Sequence, residues 1–279
     1  RVEAGTYIAI LAGTILAGWI PVEWAALAVV LTAVVGYFTG RQVPPAPPQT
    51  APEPLDFHVL RSSWTLVRNT MHDRRVFMAI MAISFFWAIG TVLFIHFPPL
   101  VKNVLHASKE VASLFLVIFS VGVAIGSMSI NALLKGTVSA RYSPVSVIFM
   151  AGFVVAFHVV CSRWQVDESV ALLDTARFLA QPLALALLGT LLGIAIAGGM
   201  FVVPLYAFLT TFVEKSQTAR TIAANNIVNS GAMVLGAGAA MGLSAAGVSI
   251  TDQLLLSAAM CAISAWLGWL LYQAERAAV

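Results

Sequence analysis

Charged side chains are scarce in this chain of 279 residues. Asp, Glu, Lys and Arg make up 10% of it, and hydrophobic residues make up 60%. A soluble domain carries about 25% charged residues, so a cytosolic enzyme and a disordered chain are both excluded. Two cysteines are too few for a secreted disulfide scaffold. Cys161 and Cys261 lie in apolar runs without metal-ligand spacing and are predicted to be small core residues.

The sequence instead contains long runs of apolar residues. A helix needs about 20 apolar residues to cross a hydrocarbon core about 30 Å thick. Two candidate spans come first, at residues 6–20 and 24–38, and six follow a gap, at residues 76–97, 111–134, 145–161, 183–212, 221–243 and 254–272. The predicted fold class is all-α, a polytopic membrane protein with about eight transmembrane helices.

The gap between the two blocks of spans is polar and rich in proline. Six prolines lie between Pro44 and Pro54, which excludes a helix there and predicts an extended linker. Residues 55–73 follow, with apolar side chains such as Trp64 among Arg61 and Arg68. This pattern predicts either an amphipathic helix at a membrane surface or an ordinary polar connector.

The placement of basic residues supports this count of spans. If the linker is cytoplasmic, eleven of the fifteen Lys and Arg residues fall on the cytoplasmic side; the four on the other side are Lys102, Lys109, Arg163 and Arg177. The asymmetry agrees with the positive-inside rule, and a shift by one span would destroy it. The same count predicts a cytoplasmic C-terminus.

The order of two spans, a linker and six spans is similar to that of a major facilitator transporter, whose six-helix halves are each built of inverted three-helix repeats. Residues 1–39 are then the last two helices of the N-terminal bundle, residues 40–75 the cytoplasmic linker with its amphipathic helix, and residues 76–279 the six-helix C-terminal bundle. Because the first residue is Arg1 rather than Met, we expect a segment of a longer protein that lacks four preceding helices.

Polar groups inside a membrane are costly, so the few that occur are candidates for function. Three amides, Asn225, Asn226 and Asn229, begin the fifth span of the second block. Their spacing predicts that they share a broad helical face. Such a cluster suits a polar head group, and it also suits hydrogen bonds between helices.

The span before these amides carries Gly198 and Gly199 shortly before Pro204. A proline leaves one backbone carbonyl without its usual donor. The combination predicts a kinked helix, a gating hinge, or both. The span is also long enough to extend beyond the bilayer.

These two spans carry a resemblance to a known family. The runs GGMFVVPLYAFL at residues 198–209 and ARTIAANNIVN at residues 219–229 resemble the bacterial lysophospholipid transporter family of the major facilitator superfamily. The loop at residues 138–141 and the order of spans are similar as well. The resemblance is closest to members fused to a phospholipid acyltransferase and an acyl-carrier-protein synthetase.

The resemblance implies that lysophospholipids, chiefly lysophosphatidylethanolamine, are flipped from the outer to the inner leaflet of the bacterial inner membrane for re-acylation. The implied partners are the lysophospholipid, membrane lipids and the two fused or associated enzymes. No cofactor, metal or nucleic acid is expected.

The remaining candidate residues fall into three groups. Tyr206, Trp87 and His96 are predicted to line the substrate path, although Trp87 and His96 also suit ordinary packing. Lys135, Arg141 and Arg220 are predicted in cytoplasmic loops, where Lys135 and Arg141 hold helix ends through their terminal carbonyls. Asp174 and Arg177 form either an outer gate or a solvated surface pair.

Three Gly-x-x-x-Gly pairs predict close approach between helices within one bundle rather than a dimer interface. They are Gly122/Gly126, Gly189/Gly193 and Gly238/Gly242.

Two other functions compete with lipid flipping. The first is export of drugs or other small amphipathic compounds, and the second is a membrane anchor for a fused acyltransferase. We expect no enzyme within these residues, because no HExxH, Gly-x-Ser-x-Gly or phosphate-cradling glycine motif occurs. The spans at residues 77–101, 111–134 and 178–213 carry no charge, which favours an amphiphile over a proton-coupled sugar or ion.

Overall fold

A computed structural model describes residues 21–44, 57–165 and 171–277, together with Gly13. The chain divides into two compact units, Arg1–Asp56 and Phe57–Val279. In the first unit, α1 (Val22–Gly40) corresponds to the second predicted span. Apart from Gly13, the first predicted span lies outside the described residues, as does most of the proline-rich linker.

The second unit contains eight described helices. They are α2 (Val59–Thr70), α3 (Arg74–Asn103), α4 (Lys109–Leu134), α5 (Ser143–Ser162), α6 (Thr175–Leu179), α7 (Ala184–Phe212), α8 (Lys215–Ala245) and α9 (Ile250–Arg276). The six long ones, α3, α4, α5, α7, α8 and α9, correspond to the six predicted spans. With α1 they make seven described helices that are long and apolar enough to cross a membrane. The prediction of an all-α fold is confirmed for the described residues, and these seven helices are compatible with a multi-pass membrane protein.

Helix α3 runs past its predicted end at residue 97. It passes through Pro98 and Pro99 and ends at Asn103. Each proline removes one backbone donor from the helix. The helix continues because Leu100 and Val101, in the turn beyond the prolines, are buried in the core.

Contacts between helix ends show that the six long helices alternate in direction. The guanidinium carbon of Arg75, at the start of α3, lies 4.1 Å from the ring centre of Phe212, at the end of α7. At the opposite end, the N–H of Leu173 donates to the carbonyl of His106 at 2.8 Å. We call the end where α3, α5 and α8 begin the basic end, because Arg74, Arg75, Lys135, Arg141, Lys215 and Arg276 lie there.

The six long helices form two interlocked triples, α3–α4–α5 and α7–α8–α9. The first helix of each triple packs against the second and third helices of the other: α3 against α8 and α9, and α7 against α4 and α5. The remaining contacts between triples, α3 with α7 and α5 with α9, join equivalent helices. Because α3 begins at the basic end and α7 ends there, the two triples run in opposite directions. This is the arrangement of an inverted repeat.

Glycines allow α4 and α7 to approach closely. A Cβ atom on Gly126 would collide with the backbone carbonyl of Ile196, and one on Gly122 would lie 2.5 Å from the Cβ of Ala195. Gly193 of α7 meets α5 instead, where a Cβ on this glycine would lie 2.6 Å from the ring of Phe153. Close packing is therefore confirmed for these three glycines.

The same prediction is wrong for the other three glycines of the Gly-x-x-x-Gly pairs. No atom of the described residues lies within 4 Å of a Cβ built on Gly189, Gly238 or Gly242. Spacing alone places two glycines on one helical face, but it does not say whether a neighbouring helix crosses that face.

The loop between α4 and α5 is anchored differently from the prediction. Lys135, the residue directly after α4, has φ +50°. The guanidinium of Arg141 lies 5.3 Å from the ring centre of Tyr142. The anchor is Glu275 of α9, whose carboxylate accepts from Ser139 Oγ at 3.0 Å and from the N–H of Ala140 at 3.1 Å. A carboxylate can accept both donors at once, and hydrogen bonds to a charged group are the stronger ones.

Replacing Glu275 with alanine is expected to loosen this loop. The buried N–H of Ala140 loses its acceptor, which costs about 1–3 kcal/mol. We expect a lower Tm and faster hydrogen exchange in residues 135–142. Glu275→Gln keeps one acceptor oxygen and should give a smaller effect; an alanine variant with unchanged exchange would contradict the assignment.

Candidate functional site

A chain of hydrogen bonds joins α3, α7 and α8 inside the bundle. Ser84 Oγ donates to Asn229 Oδ1 at 2.8 Å, and Asn229 Nδ2 donates to Tyr206 Oη at 3.3 Å. The same tyrosine oxygen accepts from Trp87 Nε1 at 2.7 Å. The structure thus brings together three residues predicted to line the substrate path, Asn229, Tyr206 and Trp87. We call these three and Ser84 the amide network.

The amide network extends from the core to the surface of the bundle. Ser84 and Asn229 are buried, whereas Trp87 is 39% exposed. Ser84 lies about 15 Å along α3 from the first residue of the helix, which is half the thickness of a hydrocarbon core. Neutral hydrogen-bonding groups are therefore accessible from the bundle surface about 15 Å from the first residue of α3.

Asn225 lies one helical turn before Asn229 on α8 and is 1% exposed. Neither its amide nitrogen nor its amide oxygen has a hydrogen-bond partner among the described residues. A buried polar group without a partner costs about 1–3 kcal/mol, and such groups are few in native proteins. Asn225 therefore holds a free donor and a free acceptor beside the amide network.

Asn226 does not join this cluster. It is exposed, whereas Asn225 and Asn229 are buried. Successive residues of an α-helix point about 100° apart. Asn225 therefore faces the neighbouring helices, whereas Asn226 points away from them. Of the three amides predicted to share one helical face, only Asn225 and Asn229 are buried together.

The predicted hinge residues lie in one continuous helix, α7, and all three are buried. A Cβ on Gly199 would lie 2.5 Å from the carbonyl oxygen of Val123 on α4, and one on Gly198 would lie 3.1 Å from the ring of Phe86 on α3. Both glycines therefore make room for neighbouring helices. A gating role for them and for Pro204 stays a prediction.

The length of α7 agrees with the predicted extension beyond the bilayer. Its 29 residues span about 44 Å, which exceeds a hydrocarbon core of about 30 Å.

His96 belongs to a second polar cluster, about 18 Å further along α3 than Ser84. Its Nε2 lies 2.8 Å from Gln253 Oε1 of α9, and its Nδ1 contacts the carbonyl of Val92. The amide nitrogen of Gln253 donates to Ser244 Oγ and to the carbonyl of Val248, each at 3.0 Å. This cluster ties α3, α8 and α9 together towards the end opposite the basic end, so His96 does not join the amide network.

Replacing Gln253 with leucine is expected to lower the stability of the bundle. The change leaves His96 Nε2 buried without a partner and breaks the tie to α8, at a cost of about 1–3 kcal/mol. A matched control is Gln273→Leu, the same substitution at an exposed position of α9. Thermal unfolding in detergent should separate the two variants; equal Tm values would show that the cluster contributes nothing to stability.

The charged candidates lie outside both clusters. Asp174 accepts from the N–H of Arg177 at 2.8 Å and so caps the short helix α6. The two side chains also form an ion pair at 3.8 Å, and both are well exposed. This geometry is that of the solvated surface pair rather than a closed outer gate. Arg220 is exposed in the first turns of α8.

Three side chains of these clusters, Ser84, Ser244 and Gln253, were not among the predicted site residues. Ser84 is buried inside the predicted span at residues 76–97, and its signal was a single hydroxyl in an apolar run, since buried polar groups require partners. Ser244 and Gln253 each lie one residue outside a predicted span, so the search for polar groups within spans did not reach them.

The described residues offer no group of three or more His, Cys, Asp or Glu side chains that could hold a metal ion. Cys161 and Cys261 are free and buried, as expected for small core residues. The amide network is an uncharged hydrogen-bonding site suited to a neutral or zwitterionic polar group.

Comparisons of the chain with protein-family models, curated proteins and solved structures give no match. The chemistry of the site is therefore argued from its own residues.

Proposed function

We propose that this chain forms the C-terminal bundle and part of the N-terminal bundle of a major facilitator transporter that flips lysophospholipids across the bacterial inner membrane. The amide network with the unpartnered Asn225 is the observation that carries this proposal. It is an uncharged polar site in an otherwise apolar bundle. Lysophosphatidylethanolamine is the substrate that the family resemblance favours.

The inverted triples support the transporter assignment. In transporters built of inverted repeats, substrate sites lie near the bilayer midplane at the interface between repeats. The amide network lies at the interface between the two triples, because Ser84 and Trp87 come from one triple and Tyr206 and Asn229 from the other.

The chemistry of the site supports an amphiphilic substrate. Amide and hydroxyl groups donate to phosphate oxygens and accept from an ammonium group without adding charge to the membrane. In our proposal Asn225 and Asn229 bind the head group, Trp87 and Tyr206 contact it from the exposed side, and the acyl chain follows apolar helix surfaces. Rocking of the bundles then carries the head group between leaflets.

Export of small amphipathic compounds is the second candidate. One observation favours it: the amide network contains no Lys or Arg side chain, although such side chains are the usual partners of phosphate groups. A membrane anchor for a fused acyltransferase is the third candidate, and it needs no substrate site at all.

A flipping assay with the full-length protein in liposomes tests the proposal. Head-group-labelled lysophosphatidylethanolamine is placed in one leaflet, and its arrival in the other is followed by a membrane-impermeant quencher. We expect protein-dependent flipping and no concentration of an amphipathic dye against its gradient. Dye accumulation without lysolipid movement would favour the exporter, and neither activity would favour the anchor.

A further inference from the structure

Helix α2 carries an uncovered apolar strip beside the bundle. Leu60 and Trp64 lie one turn apart on the same side of the helix and are 88% and 71% exposed. Phe57, just before the helix, is exposed as well. The other side of α2 is half-buried, and the helix packs against α8. One side of α2 is therefore held by the bundle, and the apolar strip is not.

A basic and polar strip lies next to the apolar one. Arg61 and Arg68 are seven residues apart and follow Leu60 and Trp64 around the helix, so both strips run along its length. An open groove of about 510 Å³ is lined by Trp64, Thr65, Arg68, Asn69 and His72. Its lining offers several hydrogen-bond donors around a guanidinium group, which is the chemistry that recognises a phosphate.

The position of α2 along the bundle limits what can cover the apolar strip. Only residues 71–73 separate α2 from the start of α3, so α2 ends at the basic end. The helices of the bundle cross the bilayer, and its surface lies at this end. An amphipathic helix with a basic strip beside an apolar one matches the boundary between acyl chains and anionic head groups.

We propose that α2 is a membrane-surface helix that inserts Leu60 and Trp64 into the leaflet at the basic end and binds the phosphate of an anionic phospholipid with Arg68. The occupant of the uncovered strip is thus the bilayer itself. The proposal concerns this surface alone and does not depend on what the transporter carries.

Single cysteines along α2 test the proposal in the full chain. The native Cys161 and Cys261 are buried in the core, so a cysteine on α2 is the accessible thiol. Leu60→Cys and Trp64→Cys report on the apolar strip, and Thr65→Cys and Asn69→Cys are matched controls on the polar side. Each is labelled with an environment-sensitive fluorophore in nanodiscs of phosphatidylcholine with or without phosphatidylglycerol.

The expected result is a difference between the two sides of one helix. Labels at residues 60 and 64 should be quenched by nitroxide lipids and protected from aqueous iodide, and labels at residues 65 and 69 should show the reverse. Phosphatidylglycerol should strengthen this difference, and Arg68→Gln should raise the undocked fraction about fivefold. Equal iodide quenching at all four positions would overturn the proposal. Protection of residues 60 and 64 from nitroxide lipids as well as from iodide would also overturn it, because it would indicate a protein cover.

Discussion

Replacing Asn225 with leucine is expected to make the protein more stable and less active. Both polar atoms of the amide are buried without a hydrogen-bond partner in the part of the chain that the structure describes, so an apolar side chain of similar size removes an unfavourable term of about 1–3 kcal/mol. The same change deletes a donor and an acceptor for the head group. Because such hydrogen bonds to charged groups contribute about 1.5–3 kcal/mol, flipping should fall about tenfold or more.

Two further variants make this result specific. Asn229→Leu breaks the bonds to Ser84 and Tyr206, so we expect both stability and flipping to fall. Asn131→Leu replaces an exposed asparagine near the basic end of α4 and should leave flipping unchanged. If Asn225→Leu raised Tm and kept full flipping activity, Asn225 would be a packing defect and not part of a substrate site.

Replacing Gly126 with alanine is expected to lower the stability of the bundle. The new methyl group would collide with the backbone carbonyl of Ile196, and a backbone atom cannot move aside as the end of a flexible side chain can. Overpacking of this kind costs about 1–3 kcal/mol. The contact between α4 and α7 joins the two triples, so their interface as a whole should loosen.

Gly242→Ala is the matched control, because Gly242 is also the second glycine of a Gly-x-x-x-Gly pair. Its added methyl group has no described neighbour within 4 Å, and alanine favours a helix by about 0.8–1 kcal/mol over glycine. Thermal unfolding should therefore show a loss for Gly126→Ala and a small gain for Gly242→Ala. Equal losses would mean that the spacing of the glycines, rather than the crossing of α4 and α7, decides their effect.

The spans could be predicted from the sequence because apolar length decides them. The predicted span at residues 111–134 differs from α4 by two residues at its start and by none at its end. The predicted end of a span was wrong where packing against other helices outweighed the helix-breaking effect of proline. The predicted span at residues 76–97 stops before Pro98 and Pro99, yet α3 continues beyond them to Asn103, where Leu100 and Val101 are buried.

The site was predictable as residue types but not as partners. Asn229, Tyr206 and Trp87 stood out as polar or aromatic groups in apolar spans, and the structure joins them through one tyrosine oxygen. Nothing in the sequence separates Asn225, which is buried, from Asn226, which is exposed. That distinction depends on where α3 crosses α8, and the spacing of residues within one helix does not contain this information.

The glycine pairs and the loop anchor show the same limit. Helical spacing identified Gly126 and Gly242 equally, although only Gly126 meets a neighbouring backbone. Glu275 lies more than a hundred residues from the Ala140 N–H that it accepts, so local sequence could not connect the two. Positions on one element are readable from sequence, and contacts between elements are not.

Photochemical labelling tests most directly whether a lysophospholipid head group binds at the amide network. A lysophosphatidylethanolamine with a photoactivatable group beside its phosphate is cross-linked to the full-length protein in liposomes, and the labelled peptides are mapped. We predict labels on α7 around Tyr206 and on α8 around Asn225 and Asn229, and we predict that excess unlabelled lysolipid abolishes them. Labels spread over all lipid-facing helices, and unaffected by competitor or by Asn225→Leu, would contradict the account.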